Sequence, residues 1–545
     1  MNILVVTEKY HVSTTQNDGG ARVADMLSSI PSMNLKILDF SVNDDSNNGL
    51  SHVYPVDNNC RFERRLLNQD FISLKVKDEQ KWSDVIIFVH CSMMFGIEKH
   101  DFPNTKLVLL PMFTSKSYIQ SGESIPKSYI DEERRILNLA DQIITPSNLE
   151  KILIMEEGVP EERIVVIARG VQSSLNHSIR KNKREEGLNC LCLGSIKPQK
   201  NPINTIRIFE KIAKQKPNSK LTFIGPIQCL DTYNLLINEI EKSLFSSSIF
   251  IETPINPNDL NEKLKHYDVH ISSSKCETFG RAIIETSVMG MPNIILRPFN
   301  AAAELLEHRI GAHVLEKVDD FDAGKWLNEF TLETRSLSLV GLKDIFSNEI
   351  ESRRVISTLT DNFSTVIADF DGTIFHKESP ELTNRWVEKI SKFDCVILCS
   401  ARDFHSLSSK SKDIGLRWDA AVSYSGALIT TNKNHHNLIS EMANLPKECQ
   451  EIRFEQHLIQ GKLDCRKENS SGKYRIESYS GESYYLPWRT TKLRGASIAI
   501  SYFQKIGSVS AFGDGLHDLP LIRYFGGKII DTNGKEKYEG EIIYE

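Results

Sequence analysis

Short runs of apolar, mostly β-branched residues alternate along this chain with longer amphipathic stretches. Two series of such runs come first, at residues 3–6, 35–40, 85–89, 107–110, 142–145 and 164–168, then at residues 190–194, 221–225, 249–251, 269–271 and 293–296. Strand-length apolar runs separated by helix-length amphipathic segments are typical of βαβ units. Each series therefore predicts a parallel sheet flanked by helices.

A third series begins after the charged stretch at residues 349–354. Apolar runs at residues 365–369, 395–399 and 509–512 predict buried strands, whereas the polar, turn-rich stretch at residues 430–487 indicates an inserted cap. The length of 545 residues is sufficient for several domains. We predict an α/β protein with units at residues 1–180, 181–345 and 362–545, a linker at residues 346–361 and a cap at about residues 428–488.

Composition and charge limit the classes to which this protein can belong. Hydrophobic residues make up 40% and charged residues 25% of the chain, which is typical of a folded globular protein and not of a disordered one. The net charge of −6 argues against a general nucleic-acid or membrane-surface binder. The ten cysteines form no C-x-x-C pair, and no run has the form of a secretory signal or the length of a membrane span. We therefore expect a cytoplasmic protein with no transmembrane segment and no nucleic-acid partner.

The strongest motif follows the first apolar run of the third unit. Asp369 and Asp371 stand two positions apart in the segment Asp-Phe-Asp-Gly-Thr, where a predicted parallel strand ends. Ligands of open α/β sheets bind at this edge. One carboxylate of such a pair is suited to attack phosphorus, and the other, kept protonated, is suited to protonate the leaving oxygen.

Further polar residues follow in the order that phosphoryl transfer requires. Ser400 ends the next predicted strand, where its hydroxyl is placed to bind a phosphoryl oxygen, and Lys492 offers a fixed positive charge for the transition state. Asp514 and Asp518 follow the last predicted strand and add two carboxylates, the ligands that Mg²⁺ prefers.

Together these four motifs resemble the haloacid dehalogenase superfamily over residues 362–545. The resemblance implies that Asp369 is a nucleophile that forms an aspartyl-phosphate, that Asp371 is the general acid and base, and that Ser400 and Lys492 bind phosphate. It also implies a Mg²⁺ cofactor held by Asp369, Asp514, Asp518 and the backbone carbonyl of Asp371. The long insertion is similar to the large α/β cap of sucrose-phosphate and trehalose-phosphate phosphatases, which favours a sugar phosphate as substrate; His517 departs from the Asn that is common there.

Two glutamates mark the second unit. Glu277 and Glu285 stand eight positions apart, with Gly280 between them at the start of a predicted helix. If Glu285 lies on the helix and Glu277 in the preceding loop, both are able to line one pocket, and the amides of the helix N-terminus face a phosphate.

The segment from Asp268 to Leu296 resembles the donor site of retaining family 4 glycosyltransferases, whose two facing Rossmann-like domains form the GT-B fold. The resemblance covers residues 1–345 and implies an acceptor-side first domain, a nucleotide-sugar donor in the second and no metal requirement. It implies that Lys200 neutralises the donor diphosphate, Glu277 meets the transferred sugar, Glu285 meets the ribose, and Gly19 and Gly20 allow close approach of the backbone. Ser195 departs from the Arg of many relatives, a role that Lys197 or Arg281 is placed to fill.

The two resemblances together suggest a bifunctional enzyme. In the favoured hypothesis, a sugar is transferred from a nucleotide-sugar to a sugar or polyol acceptor that carries a phosphate. A sugar phosphate is then hydrolysed, as in sucrose-phosphate synthase fusions. A trehalose-phosphate synthase fusion ranks lower, because the first half of this chain carries the two-glutamate signature of the other glycosyltransferase family. Two alternatives stay open: one half is regulatory or a scaffold, or the halves act on separate metabolites of a surface-polysaccharide pathway.

Overall fold

The computed structural model describes residues 1–8, 23, 34–40, 61–171, 174–181, 187–256, 259–329, 331–360, 363–433, 435–442, 448–463, 474–479, 482–503 and 505–538. This part of the chain contains three α/β units, each built on one large sheet, and a fourth, smaller sheet. None of its helices is both long enough and apolar enough to cross a membrane.

The first unit has a six-stranded parallel sheet in the order β2-β1-β3-β4-β5-β6. Its strands are β1 Asn2–Thr7, β2 Asn34–Asp39, β3 Val85–Val89, β4 Lys106–Leu110, β5 Gln142–Thr145 and β6 Ile164–Val166. Its helices are α1 Arg61–Leu67, α2 Gln69–Asp78, α3 Ser115–Gln120, α4 Lys127–Leu139 and α5 Asn148–Met155. The central strands β3 and β4 are almost wholly buried, as the continuous apolar runs require for a sheet covered on both faces.

The second unit has a six-stranded parallel sheet in the order β12-β11-β10-β7-β8-β9. Its strands are β7 Asn189–Leu193, β8 Lys220–Ile224, β9 Ile249–Glu252, β10 Val269–Ser272, β11 Asn293–Leu296 and β12 Ala312–Leu315. Its helices are α6 Pro202–Gln215, α7 Leu230–Lys242, α8 Leu260–Leu264, α9 Arg281–Val288, α10 Ala301–Leu306, α11 Ala323–Glu329, α12 Leu332–Leu337 and α13 Leu342–Ile345. The two predicted parallel sheets are confirmed.

The third unit has an eight-stranded mixed sheet in the order β17-β16-β15-β14-β13-β22-β23-β24. Its strands are β13 Ser364–Asp369, β14 Cys395–Cys399, β15 Ala420–Ser423, β16 Leu428–Thr431, β17 His436–Leu438, β22 Ser508–Gly513, β23 Lys528–Ile530 and β24 Glu536–Lys537. Strands β13, β14, β15, β22 and β23 are parallel, and the remaining strands are added antiparallel at the edges. Its helices are α15 Pro380–Ile390, α16 Phe404–Asp413, α17 Lys492–Ser501 and α18 Leu519–Phe525.

The inserted segment differs from the predicted α/β cap at residues 428–488. Strands β16 and β17 lie within the predicted cap, yet they extend the main sheet as a hairpin. A separate antiparallel sheet follows, in the order β18-β19-β21-β20, with strands β18 Gln450–Phe454, β19 His457–Leu463, β20 Tyr474–Tyr479 and β21 Glu482–Pro487. No helix occurs between residues 428 and 488 in the described part of that segment.

The predicted linker at residues 346–361 is mostly a helix, α14 Asn348–Thr360. Val355 and Leu359 pack into the apolar core of the first unit, and Glu351 forms a buried ion pair with Arg169 at 3.1 Å. On the third unit, the main-chain N–H groups of Ile506 and Gly507 donate to the hydroxyl of Ser357. The stretch that connects the second and third units is therefore a helix, and its residues have buried partners in the neighbouring units.

Two buried carboxyl groups, Glu133 and Glu150, lie in the first unit. The main-chain N–H of Ser115 donates to Glu133 at 2.7 Å, and burial raises the pKa of Glu133 to about 7. Burial also raises the pKa of Glu150 to about 8. Neither carboxylate oxygen of Glu150 has a hydrogen-bond partner among the described residues. The folded protein therefore favours protonated Glu150.

We expect Glu150→Gln to leave stability nearly unchanged at pH 5 and to raise it at pH 9. The folded protein holds the Glu150 proton from the unfolded-state pKa of about 4.3 up to about pH 8, so stability falls as the pH rises through that window. Glutamine avoids this loss, which corresponds to roughly 5 kcal/mol at pH 9. Urea unfolding at both pH values measures the effect, with exposed Glu162→Gln as control. An equal change at both pH values would contradict the interpretation.

Candidate active sites

The first candidate site lies where the strand order of the second sheet reverses. The chain leaves β7 for β8 on one side and leaves β10 for β11 on the other, so a crevice opens beyond the ends of β7 and β10. A pocket lies in this crevice. Its lining includes Ser195 after β7, Lys200, Ser274 after β10, Glu277 and Gly280. The structure thus brings together three residues predicted for the donor site: Lys200, Glu277 and Gly280.

An ion pair joins Lys200 and Glu277 within the pocket. Burial opposes ionisation of Glu277, but the positive charge and the hydrogen bond of Lys200 outweigh it, and the pKa of Glu277 lies below its usual value. The backbone of Glu277 is fixed as well: its N–H donates to the carbonyl oxygen of Phe299 at 2.7 Å, and its carbonyl accepts from Ala301 at 2.9 Å. Glu277 is therefore an anion in a fixed position.

The other predicted donor-site residues have different positions. Gly280 precedes α9 with a φ of 76°, and a Cβ there would lie 2.7 Å from the Cβ of Ala302, so only glycine fits. Glu285 lies buried within α9, but it is not among the described residues that line the pocket. Ser195 lines the pocket and brings no charge. Gly19 and Gly20 lie outside the described residues.

A buried histidine that lines the pocket was missed by the sequence reasoning. His270 on β10 lies 2.6 Å from the side-chain oxygen of Asn293 on β11, and the hydroxyl of Thr286 donates to the same oxygen at 2.9 Å. Burial lowers the pKa of His270 to about 4, so its imidazole is neutral. The available signal was a histidine and an asparagine in two otherwise apolar strand runs.

The second candidate site lies at the corresponding point of the third sheet. Strand β13 ends at Asp369, and its neighbour β22 is followed by Asp514 and Asp518. One carboxylate oxygen from each of these three side chains lies within 4.8 Å of the others. The neighbouring strand β14 leads into Ser400, whose hydroxyl lies 3.5 Å from Asp371. The structure thus brings the predicted phosphatase residues together at one edge of the sheet.

Lys492, at the start of α17, lies against this acidic cluster. Its ammonium donates to Asp369 at 2.5 Å and to Asp518 at 2.7 Å. Burial, together with the charge of Asp518, nevertheless holds the pKa of Asp369 well above its usual value. Three carboxylates around one lysine leave negative charge uncompensated, which suits a cation with a preference for oxygen ligands, such as Mg²⁺.

Close packing of backbone shapes the same site. A Cβ on Gly372 would lie 1.9 Å from a carboxylate oxygen of Asp514, and a Cβ on Gly513 would lie 2.4 Å from the Cβ of Asp518. Glycine at both positions lets the acidic side chains approach the strand ends. The cluster therefore fits the predicted metal ligands Asp369, Asp514 and Asp518, while His517 is exposed beside it.

Asp371 has a partner that the sequence reasoning did not identify. The guanidinium of Arg402 donates to both of its carboxylate oxygens, at 2.7 and 2.6 Å. Arg402 also approaches the hydroxyl of Ser406 at 3.3 Å. The signal in the sequence was the position of Arg402, two residues beyond Ser400 after a strand end, but its side-chain direction depends on the folded loop.

Residues 175–331 match the family model of glycosyl transferases group 1. The fold resembles sucrose-phosphate synthase from Thermosynechococcus elongatus, with a TM-score of 0.54 at 12% identity over 64% of this chain and 96% of that one. It also resembles OtsA, with a TM-score of 0.51 at 11% identity over 66% and 99% of the two chains. HepE from Anabaena, solved with UDP-glucose, is similar with a TM-score of 0.51 at 13% identity over 66% of this chain and 99% of that one. No curated protein sequence matches the chain significantly.

These comparisons concern the fold and one family segment. The matched family segment contains Lys200, Glu277, Gly280 and Glu285. At identities near one tenth, the structural likenesses establish the fold alone, and together with the family segment they support a GT-B fold for the first two units.

Proposed function

We propose that the chain is a bifunctional enzyme that transfers a sugar from a nucleotide-sugar to a phosphorylated sugar or polyol and then hydrolyses the phosphate. One observation carries the proposal. Two separate sheets each hold, at the point where the strand order reverses, a lysine paired with carboxylates: Lys200 with Glu277, and Lys492 with Asp369 and Asp518. Each arrangement suits an anionic phosphate group at the edge where α/β sheets bind ligands.

In the transferase, the nucleoside diphosphate is the leaving group, so the site must stabilise negative charge that develops on it. Lys200 supplies a cation, and the N-terminus of α9 beside Gly280 supplies main-chain N–H groups. Glu277, ionised and fixed by its backbone, would accept hydrogen bonds from the hydroxyls of the transferred sugar. This site requires no metal. HepE was solved with UDP-glucose, which makes UDP-glucose the first donor to test.

In the phosphatase, a carboxylate oxygen of Asp369 attacks phosphorus, and an aspartyl-phosphate forms as the bond to the sugar oxygen breaks. Asp371 acts as the general acid that protonates that leaving oxygen, and its bidentate pair with Arg402 must open before it does so. Asp371 then takes a proton from the water that hydrolyses the aspartyl-phosphate, so that inorganic phosphate leaves and Asp369 is restored. Ser400 and Lys492 hold the phosphoryl oxygens. Bound Mg²⁺, held by Asp369, Asp514, Asp518 and the carbonyl of Asp371, would offset the charge of the phosphate and its nucleophile.

The order of the two reactions explains their fusion. Hydrolysis of the phosphate removes the product of transfer and makes the sequence effectively irreversible. The third unit is also packed against the second: the guanidinium of Arg494 donates to Asp344 at 2.7 Å, and Arg309 donates to the carbonyl of Trp488 at 3.0 Å. The two units that carry the sites therefore stay in contact, and such tethering raises the local concentration of the intermediate at the phosphatase.

The product made by Asp369→Asn tests the proposal. With Mg²⁺, UDP-glucose and a panel of phosphorylated and unphosphorylated sugars, we expect the wild type to release nucleoside diphosphate and inorganic phosphate and to yield an unphosphorylated glycoside. The variant lacks the nucleophile, so we expect it to accumulate the phosphorylated glycoside at an unchanged rate of transfer. Mass spectrometry distinguishes the two products.

Asp413→Asn, which removes an exposed carboxylate at the end of α16, is the matched control and should behave as the wild type. If unphosphorylated acceptors alone are used, the halves act on separate metabolites. If donor is bound without turnover, the transferase half is regulatory, a role that the uncharged Ser195 in its pocket favours. If no sugar phosphate is hydrolysed, the phosphatase proposal is wrong.

A further inference from the structure

The two candidate sites share a feature that makes each respond to its ligand. In each site, a lysine forms an ion pair with carboxylates: Lys200 with Glu277, and Lys492 with Asp369 and Asp518. A diphosphate that pairs with Lys200 releases Glu277. A cation that pairs with Asp369 and Asp518 weakens their contacts with Lys492. Binding therefore changes the contacts of Glu277 in one site and of Asp518 in the other.

A first line of contacts leads from Glu277 to the third unit. The carbonyl of Glu277 accepts from Ala301, the first residue of α10, and Asn300 caps this helix by accepting from Ala302 at 3.1 Å. At the other end of α10, Arg523 donates to the carbonyl of Glu304 at 2.6 Å. Arg523 lies on α18 of the third unit. The backbone that holds Glu277 is thus bonded to α10, and α10 is bonded to α18.

A second line is made of aromatic rings. Phe279, two residues after Glu277, lies edge-on to Phe346 with ring centroids 6.1 Å apart. Phe346 lies edge-on to Tyr524 of α18 at 5.7 Å. The hydroxyl of Tyr524 donates to the carbonyl of Ile345 at 2.7 Å, which fixes the ring against the second unit. All three rings belong to a continuous buried region, where close packing transmits small displacements.

Both lines end on the helix that follows the acidic cluster. Asp518 directly precedes α18, and all seven residues of that helix are buried. The side chains of α10, including Ala302, Ala303 and Leu306, share one apolar core with Leu521 of α18. A helix that is buried on every side shifts together with the helices packed against it. We therefore expect α10 and α18 to move as one rigid unit that connects the loop of Glu277 with Asp518.

We propose that the donor site and the acidic cluster are energetically coupled through α10 and α18. A nucleoside diphosphate in the first site changes the Mg²⁺ affinity of the second, and Mg²⁺ changes the affinity for the nucleoside diphosphate. Thermodynamic linkage requires the factor to be the same in both directions. The inference rests on the proposed function for the identity of the two ligands, but the coupling itself requires neither reaction.

Titration calorimetry on the full chain tests the coupling without turnover. Mg²⁺ is titrated with and without saturating UDP, and UDP with and without saturating Mg²⁺; ADP and GDP replace UDP if UDP does not bind. We expect each ligand to change the dissociation constant of the other by about fivefold or more, by an equal factor in both directions. Equal affinities with and without the second ligand would overturn the inference.

Arg523→Ala removes the hydrogen bond between α18 and α10. We expect it to retain binding of each ligand alone and to reduce the coupling, while the aromatic line of contacts remains. Arg353→Ala is the matched control, since Arg353 also donates to a carbonyl of the third unit, that of Ser501 at 2.7 Å, but lies on neither line of contacts. Coupling that is unchanged in Arg523→Ala, or is reduced equally in Arg353→Ala, counts against α10 and α18 as its route.

Failure of the inference is distinguishable from failure of the proposed function. If neither any nucleoside diphosphate nor Mg²⁺ binds, both are wrong. If both ligands bind independently and the chain forms its products, only the coupling is wrong. A thermal unfolding scan of each variant establishes that the substitution leaves the chain folded.

Discussion

Lys492→Met is expected to lower phosphate release by about 1,000-fold or more, because the transition state loses a cation fixed against the phosphoryl group. The same substitution is expected to destabilise the protein when no metal is bound. Lys492 is buried and contacts Asp369 and Asp518 at 2.5 and 2.7 Å. Without Lys492, no positive charge remains beside the three clustered carboxylates. Removal of one partner from a buried ion pair lowers the free energy of unfolding by about 3 kcal/mol or more.

Mg²⁺ separates these two effects of Lys492→Met. We expect added Mg²⁺ to raise the unfolding temperature of the variant more than that of the wild type, since the cation replaces the lost positive charge. Phosphate release should stay low, because the phosphoryl oxygens still lack the ammonium. Lys412→Met, which removes an exposed lysine from α16, is the control. An equal thermal shift in variant and wild type would contradict a cation site at the acidic cluster.

The strands were the most predictable part of the fold. Residues 85–89, 142–145, 293–296 and 395–399 were predicted as strands, and the structure has strands with the same bounds. These are central strands covered on both faces, so burial alone dictates an unbroken apolar run. The edge strand β12 and the hairpin strand β17 were missed, because these short, partly exposed strands have no such pattern.

The two sites were predictable in part, for a related reason. Asp369 ends one of the parallel strands of the third sheet, and Ser400 and Asp514 each follow another, so their order along the chain is enough to place them at one edge. Contacts made by long side chains are different. The pairing of Arg402 with Asp371 depends on the rotamer of one residue in a loop, and the buried ion pair of Arg169 with Glu351 joins residues from separate units. Neither is encoded in local spacing.

Lys200→Ala is expected to lower sugar transfer by about 100- to 1,000-fold, because the leaving diphosphate loses its cationic contact in a pocket where Ser195 brings no second charge. Phosphate release from a sugar phosphate should be unaffected. Affinity for the nucleoside diphosphate, measured by calorimetry, should fall as well. Lys214→Ala, at an exposed position of α6, is the control. Normal transfer by Lys200→Ala would place the diphosphate elsewhere.

The same substitution changes the charge of Glu277, which provides an independent check. In the wild type, Lys200 lowers the pKa of Glu277, so the pair stabilises the fold above the unfolded-state pKa of glutamate, and this contribution is lost as the pH falls through the lower folded-state value. Without Lys200, only the smaller effects of Ser274 and Lys197 oppose burial, so we expect the pKa of Glu277 to rise and the variant to lose stability as the pH rises. A Lys200→Ala/Glu277→Gln double variant should recover that stability at high pH, because it buries no charge. Additive effects of the two substitutions would show that the ion pair does not join these side chains in solution.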